Sequence, residues 1–246
     1  MRVKYIKKDN INYKFFEPDM SVKKIILAIH GFAGDAESST ITSISEELSK
    51  HGVMVVAFDL PCHGNNTNND CIKLSDCFLY LDKVINEIKK QYDNIPISVF
   101  ATSFGAFVLL NYISKTNIKF NNIILRCPAI FMDEILIEKI LPEHGYNKND
   151  LNIFLKLNLG FEKPLYVNMN FLNELQKNSL TNKIYKDKIN IIQGTEDDIV
   201  DVSKNENFYK NNFLDYKLFY IEGADHRFKK IGELDQVINI VKNIIL

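Results

Sequence analysis

The sequence predicts an α/β fold: a mostly parallel central sheet with helices on both faces. Two observations predict it. Continuous apolar, β-branched runs, as at residues 24–29 and 53–58, alternate with stretches whose apolar residues recur at helical spacing. These runs also end in short loops carrying Gly, Ser, Asp or His, and sites in parallel sheets form at the carboxyl ends of the strands. A third observation qualifies the pattern. From about residue 131 to 186 short helical pieces (132–140, 168–176) alternate with loops at Pro142-Glu-His-Gly145 and Gly160-Phe-Glu-Lys-Pro164, and regular order resumes afterwards. The reading is therefore a core of residues 1–130 and 187–246, with a small helical cap, 131–186, inserted before the penultimate strand.

Residues 3–6 and 11–16 read as an antiparallel hairpin turning at Lys7-Lys-Asp-Asn10. The run 24–29 is apolar throughout, as a strand buried on both faces must be. Ile41, Ile44 and Leu48 mark a helix closed by His51-Gly52. Strand 53–58 follows, then a polar loop. A long helix comes next, with Leu74, Cys77, Phe78, Leu81, Val84, Ile85 and Ile88 on its core face. Residues 95–100 form a strand whose Pro96 sits near its start, where a missing N–H is tolerated. Residues 106–113 are a helix and 121–126 a strand. Residues 189–193 and 216–221 are the last strands, and Leu234, Val237, Ile238, Val241 and Ile245 stripe the final helix.

Composition narrows the functions. With 46% hydrophobic and 25% charged residues the chain buries a sizeable core and is not disordered. A net charge of −1 without basic blocks argues against nucleic acid as a partner. No apolar run reaches membrane-span length, and no apolar segment follows the charged N-terminus. The four cysteines, Cys62, Cys71, Cys77 and Cys127, show no paired spacing, so reduced thiols and a cytoplasmic location are expected. Motifs for zinc, phosphate loops and dinucleotides are missing, and neither metal nor cofactor is expected.

The chemistry centres on Ala101-Thr102-Ser103-Phe104-Gly105. A serine between a strand and a helix, with small residues two before and two after it, is the pattern of a nucleophile elbow. The turn is strained so that the hydroxyl projects above the sheet, and bulk at 101 or 105 would clash where strand and helix pass. Serine needs a base to take its proton, usually histidine. Of five histidines, His51 ends a helix, His144 lies in a turn of the cap, His63 could line the pocket and His30 is suited to fixing its own loop. His226, in the loop after the last strand, can hang over the elbow and is the expected base. The acid that orients it should come from Gly194-Thr-Glu-Asp-Asp-Ile-Val200 or just beyond, which offers Glu196, Asp197, Asp198 and Asp201. The oxyanion requires two fixed N–H donors. Phe104, after the serine at a helix N-terminus, supplies one; Phe32, in the loop after strand 24–29, supplies the other.

The matching pieces, in order, are His30-Gly-Phe32, Asp59-x-x-x-His63-Gly64, Ala101-x-Ser103-x-Gly105, Gly194-Thr-Glu-Asp197-x-x-Val200 and Gly223-Ala-Asp-His226. With these the chain resembles the α/β-hydrolase superfamily along nearly its whole length. The resemblance implies a Ser103–Asp197–His226 triad, choosing Asp197 over Asp198. The departures are Ala101 for glycine, Cys62 for the glycine before His-Gly, and Gln193 where histidine often precedes Gly-Thr; none removes a catalytic group. Within the superfamily the chain looks most like feruloyl/cinnamoyl esterases and monoacylglycerol lipases.

The expected activity is hydrolysis of carboxylic esters of small acyl or aromatic acids through an acyl-enzyme. A thioesterase, acyltransferase or small-peptide hydrolase would use the same triad, and a non-catalytic ligand-binding protein could keep the same fold. The expected partner is a small-molecule ester. An apolar cap roof, with Phe154, Phe161 and Phe171 as its pocket residues, would suit such a group.

Overall fold

The computed structural model describes residues 1–66, 70–158 and 164–246. Eight strands form one sheet in the order β1-β2-β4-β3-β5-β6-β9-β10. The hairpin β1 (Arg2–Lys8) and β2 (Ile11–Glu17) is antiparallel, and β2 pairs antiparallel with β4 (Val53–Phe58). From β4 onward every pairing is parallel, through β3 (Lys24–Ile29), β5 (Ile97–Thr102), β6 (Ile123–Arg126), β9 (Tyr185–Gly194) and β10 (Phe213–Ile221). The central strands are buried on both faces, which explains their unbroken apolar runs. The edge strand β1 is largely exposed and reads as mixed polar sequence; β10, at the other edge, is mixed in burial although most of its residues are apolar or aromatic.

Two apolar layers sandwich the sheet. On one side α1 (Ser39–Ser49) and α8 (Glu233–Ile245) pack over Ile26, Val55, Phe100 and Ile124. On the other, α2 (Leu74–Gln91) and α3 (Phe104–Ile113) cover Ile25, Leu27, Val56, Val99 and Leu125. The α2 residues predicted to face the core, Leu74, Cys77, Leu81, Val84, Ile85 and Ile88, are buried; Phe78 is half-buried. Ser38 caps α1 by accepting the Ile41 N–H, and Asn168 caps the helix that begins at Met169 by accepting the Phe171 N–H.

Between β6 and β9 the chain leaves the sheet. A helical stretch runs through α4 (Met132–Ile135), a π-turn (Leu136–Ile140) and α5 (Leu141–Glu143). A two-stranded ribbon follows, β7 (Leu155–Leu157) with β8 (Leu165–Val167), and then α6 (Met169–Lys177). The ribbon adds to the helical pieces expected here; its three-residue strands are too short for their alternation to register in sequence.

One core helix departs from the sequence expectation. Helix α7 (Val202–Asn212) joins β9 to β10 where periodicity indicated none. Its buried face is Asn205, Phe208, Tyr209 and Asn212, so half of it is polar. Those asparagines are buried because they donate to backbone: Asn205 to the Pro128 carbonyl at 2.9 Å, Asn212 to those of Thr181 and Lys183 at 3.0 and 2.7 Å.

Candidate active site

Ser103 occupies the turn between β5 and α3 at φ 51°, ψ −115°. This is a left-handed backbone that a serine adopts only under constraint. Its N–H is held by the Arg126 carbonyl at 2.9 Å, across the end of β6. Gly105 explains the second small residue. A Cβ there would collide with the His30 carbonyl and lie 2.7 Å from that of Ile29, so α3 could not pass so close to β3. Ala101 is fully buried between Ile29 and Leu125, and the sheet accommodates its methyl.

The loops at the strand ends bring three expected residues together. His226 Nε2 lies 3.0 Å from Ser103 Oγ, and His226 Nδ1 lies 2.9 Å from both carboxylate oxygens of Asp197. The Asp197 side chain is fully buried. Burial pushes its carboxyl upward, but the hydrogen bond and charge of His226 and the N–H groups of Val200 and Ile199 outweigh burial and hold it below the ordinary range. Gln193 Nε2 donates to Asp197 Oδ2 at 2.9 Å. Nδ1–H therefore points at the carboxylate and Nε2 is free to accept from the serine.

The neighbouring carboxylates have other partners. Asp198 Oδ1 accepts the backbone N–H of His226 at 3.3 Å, Asp201 caps α7 through the Lys204 N–H at 2.9 Å, and Glu196 lies 3.6 Å from Lys230. Arg126 donates to the His226 carbonyl at 3.0 Å and lies over the Phe228 ring at 4.4 Å, bracing the loop at His226 and just beyond it.

The loop carrying Phe32 is pinned by two buried histidines. His30 Nε2 accepts the Leu60 N–H at 2.9 Å, and Nδ1 donates to the Gly31 carbonyl at 2.8 Å. Burial lowers its pKa to about 4. His63 packs tilted beside it, 5.1 Å between ring centroids, edge-on to Phe32 and stacked on Phe104; burial, then His30, lower its pKa to about 3. His63 thus backs the site and does not line it. Asp59 bridges the two loops by accepting the N–H groups of Ala36 and Asn65, each at 2.9 Å. A Cβ on Gly31 would lie 3.3 Å from that of Ser103, so this loop passes directly by the serine. Among the described residues no hydrogen bond engages the N–H groups of Phe32 or Phe104.

A cavity of about 250 Å³ opens at Ser103 and His226, lined also by Phe32, Arg126, Met132, Ile135, Ile140 and Ile199. Of the aromatic residues expected there, Phe154 is 52% exposed and sits on Tyr166. Phe171 is fully buried behind the site, 6.1 Å from both Phe32 and Phe104 in ring centroids. Neither reaches the cavity, because one points outward and the other packs the core. Phe161 lies outside the described residues. Periodicity ranks residues by burial and cannot separate a core face from a pocket face. Arg126 also lines the cavity, and in sequence it is an ordinary cation closing an apolar strand. A larger cavity of about 400 Å³ shares Ile135 and Ile199 but excludes Ser103.

Cys127 Sγ, a carboxylate oxygen of Asp197 and a ring nitrogen of His226 lie within 4.8 Å of one another, a spacing a metal could use. The fit is poor: burial holds the Cys127 thiol well above its ordinary pKa, and the other two groups bind each other. No helix among the described residues is long and apolar enough to cross a membrane.

Fold and site together define an α/β-hydrolase, and the chain is a serine hydrolase of that class. The solved structures agree on the fold. Est1E from Butyrivibrio proteoclasticus superposes with a TM-score of 0.79 at 21% identity, covering 100% of this chain and 98% of its own. A soluble variant of monoglyceride lipase from Saccharomyces cerevisiae gives 0.69 at 18% identity, covering 98% and 94%. Among curated proteins, a monoglyceride lipase homolog of Monkeypox virus is 26% identical over 93% of this chain and 90% of its own length. The model of the serine aminopeptidase S33 family matches residues 20–187, and the chain belongs to that family.

Proposed function

We propose that the protein hydrolyses carboxylic esters of small acyl or aromatic acids, with Ser103 as nucleophile, His226 as base and Asp197 as its orienting acid. The observation that carries this reading is the continuous chain of contacts from Ser103 Oγ to His226 at 3.0 Å and from His226 to Asp197 at 2.9 Å, anchored on a serine with positive φ.

Ser103 Oγ attacks the acyl carbon as His226 Nε2 takes its proton. Asp197 keeps the imidazole in the accepting tautomer and stabilises the imidazolium. The N–H groups of Phe32 and Phe104 receive the oxyanion; the second lies at the N-terminus of α3, where the helix dipole assists. His226 then protonates the leaving alcohol, and a water activated by the same imidazole releases the acid. No cofactor is required. Residues 131–186 act as a cap, with Met132, Ile135 and Ile140 forming an apolar wall that suits an acyl or aromatic group. Est1E, solved with ferulic acid bound, and the lipase relatives favour an ester over an amide.

A fluorophosphonate probe should label the wild type and fail to label Ser103→Ala. That variant should lose about 10⁴–10⁶ in kcat with the fold intact. A panel of short acyl esters, feruloyl esters, acyl thioesters and peptides then ranks the leaving groups. Faster turnover of thioesters or peptides would move the activity there, and an unlabelled wild type would mark a ligand-binding protein.

A further inference from the structure

We propose that the ester this site accepts carries an anionic group, phosphate or carboxylate, on its alcohol part, and that Arg126 with Arg227 holds it. This rests on the ester-hydrolase reading above and names the substrate class for it.

The first observation is a buried cation without an anion. Arg126 is 6% exposed, and among the described residues no carboxylate lies within 4.0 Å of its guanidinium. The two acids that influence it are engaged elsewhere: Asp197 with His226 at 2.9 Å, and Asp225 with Lys229 at 3.4 Å. One of its N–H groups donates to the His226 carbonyl, while its buried Nε has no partner. A buried guanidinium left with unfilled donors is unfavourable unless something pairs with it. Arg126 lines the same cavity as Ser103, so the charge of its guanidinium can be met there by an anion on a bound substrate, although the enclosed Nε itself stays out of reach.

The second observation is how the cavity divides. Met132, Ile135 and Ile140 come from the inserted segment and Ile199 from the acid loop, and together they make its apolar part. Arg126, Arg227 and Thr102 contribute polar groups, joined by Ser38 and Thr40 from the start of α1, whose first turn holds no acidic residue. Glu143, carried by the inserted segment, is the carboxylate among the lining residues. Chemistry then orients the substrate. The leaving oxygen takes its proton from His226, so the alcohol sits beside the His226-Arg227 loop and Arg126. The acyl chain is left to the apolar part.

The test compares matched esters. Butanoyl esters of para-hydroxyphenylacetate and of its methyl ester differ in one remote charge. Monobutanoyl glycerol and monobutanoyl glycerol phosphate form a second pair. A third pair puts the charge on the acyl side: para-cresyl hemisuccinate against para-cresyl pentanoate. For the wild type, the anionic alcohol should raise kcat/KM by about 10- to 100-fold in at least one of the first two pairs, mainly through KM. The gain should shrink as salt rises, and the third pair should show none. The pair that responds more strongly distinguishes phosphate from carboxylate. Arg126→Gln should bring the ratio towards one, and Arg126→Lys should restore part of it. Arg227→Gln, at an exposed position, should lower the ratio partially, and it decides the matter together with the salt dependence if Arg126→Gln does not fold.

A wild type that hydrolyses the neutral esters with no preference for the anionic alcohols overturns this proposal alone. So does a preference confined to the acyl-side charge, or one untouched in Arg227→Gln and insensitive to salt. A wild type that turns over no ester and takes no phosphonate label overturns the hydrolase reading, and this proposal with it.

Discussion

Mild acid should weaken this protein through two histidines that do no chemistry. His30 titrates at about 4 and His63 at about 3 in the folded chain, against 6.5 for an unperturbed imidazole, because both are buried. Protonating His30 would also deprive the Leu60 N–H of its acceptor and set a charge against the His63 ring 5.1 Å away. Both folded pKa values are depressed, so below pH 6.5 the unfolded chain takes up protons that the folded chain refuses. The stability is complete above about pH 6.5 and is lost as pH falls towards 4 and 3. At pH 5 the loss is about 2 kcal/mol for each histidine, or about 4 kcal/mol for the pair. That is a large share of the roughly 5–15 kcal/mol typical of a folded domain. Asp197 does not contribute in this window: its pKa is held below 3.8, so its stabilisation is still complete at pH 5. Asp59, raised by burial, acts in the opposite sense. Urea unfolding at pH 7 and pH 5 measures the effect. The midpoint should fall by roughly 1.3–2 M for a slope of about 2–3 kcal/mol per M. His63→Phe places an aromatic ring among Phe32 and Phe104 and should remove about half of the difference. An unchanged difference in that variant, or a wild type equally stable at both pH values, would mean that the two imidazoles do not set this pH dependence.

Other expected outcomes concern single residues. Asp197→Asn should reduce kcat by about 10⁴ through loss of tautomer control, while Asp198→Asn, whose carboxylate accepts the His226 backbone N–H and not the imidazole, should cost far less; steady-state ester kinetics rank the two. Gly105→Ala should destabilise the chain by several kcal/mol, on the order of other severe core lesions, and abolish phosphonate labelling, because its methyl meets the His30 and Ile29 carbonyls. Phe171→Ala should destabilise by about 3–5 kcal/mol and Phe154→Ala by less than about 1 kcal/mol, as denaturation midpoints would report, since one is fully buried and the other half exposed.

What depends on neighbours along the chain is legible in the residues alone. Strands β3, β4 and β5 are legible as unbroken apolar runs because both faces are covered, and α2 and α8 because one face is. The elbow is legible because its steric demands fall on residues two positions either side of Ser103. The order of the motifs, each at a strand end, indicated which loops meet. Four carboxylates follow β9, and residue type does not separate them; the family resemblance chose Asp197, whose two oxygens both face His226 in the fold. Asp201 looks equally acidic in sequence, yet it caps α7. Helix α7 was hidden because its buried face is half asparagine, and those side chains find their backbone partners only once β6 and the chain before β9 lie alongside. The pocket too was decided by tertiary structure. Apolar residues of the inserted segment share one composition, and only packing determines that Phe171 supports Phe32 and Phe104 from behind while Met132, Ile135 and Ile140 line the cavity that opens at Ser103. The guanidinium of Arg126 belongs in the same group: a charge ending a strand is ordinary in sequence, and only the fold leaves it with no carboxylate among the described residues within 4.0 Å.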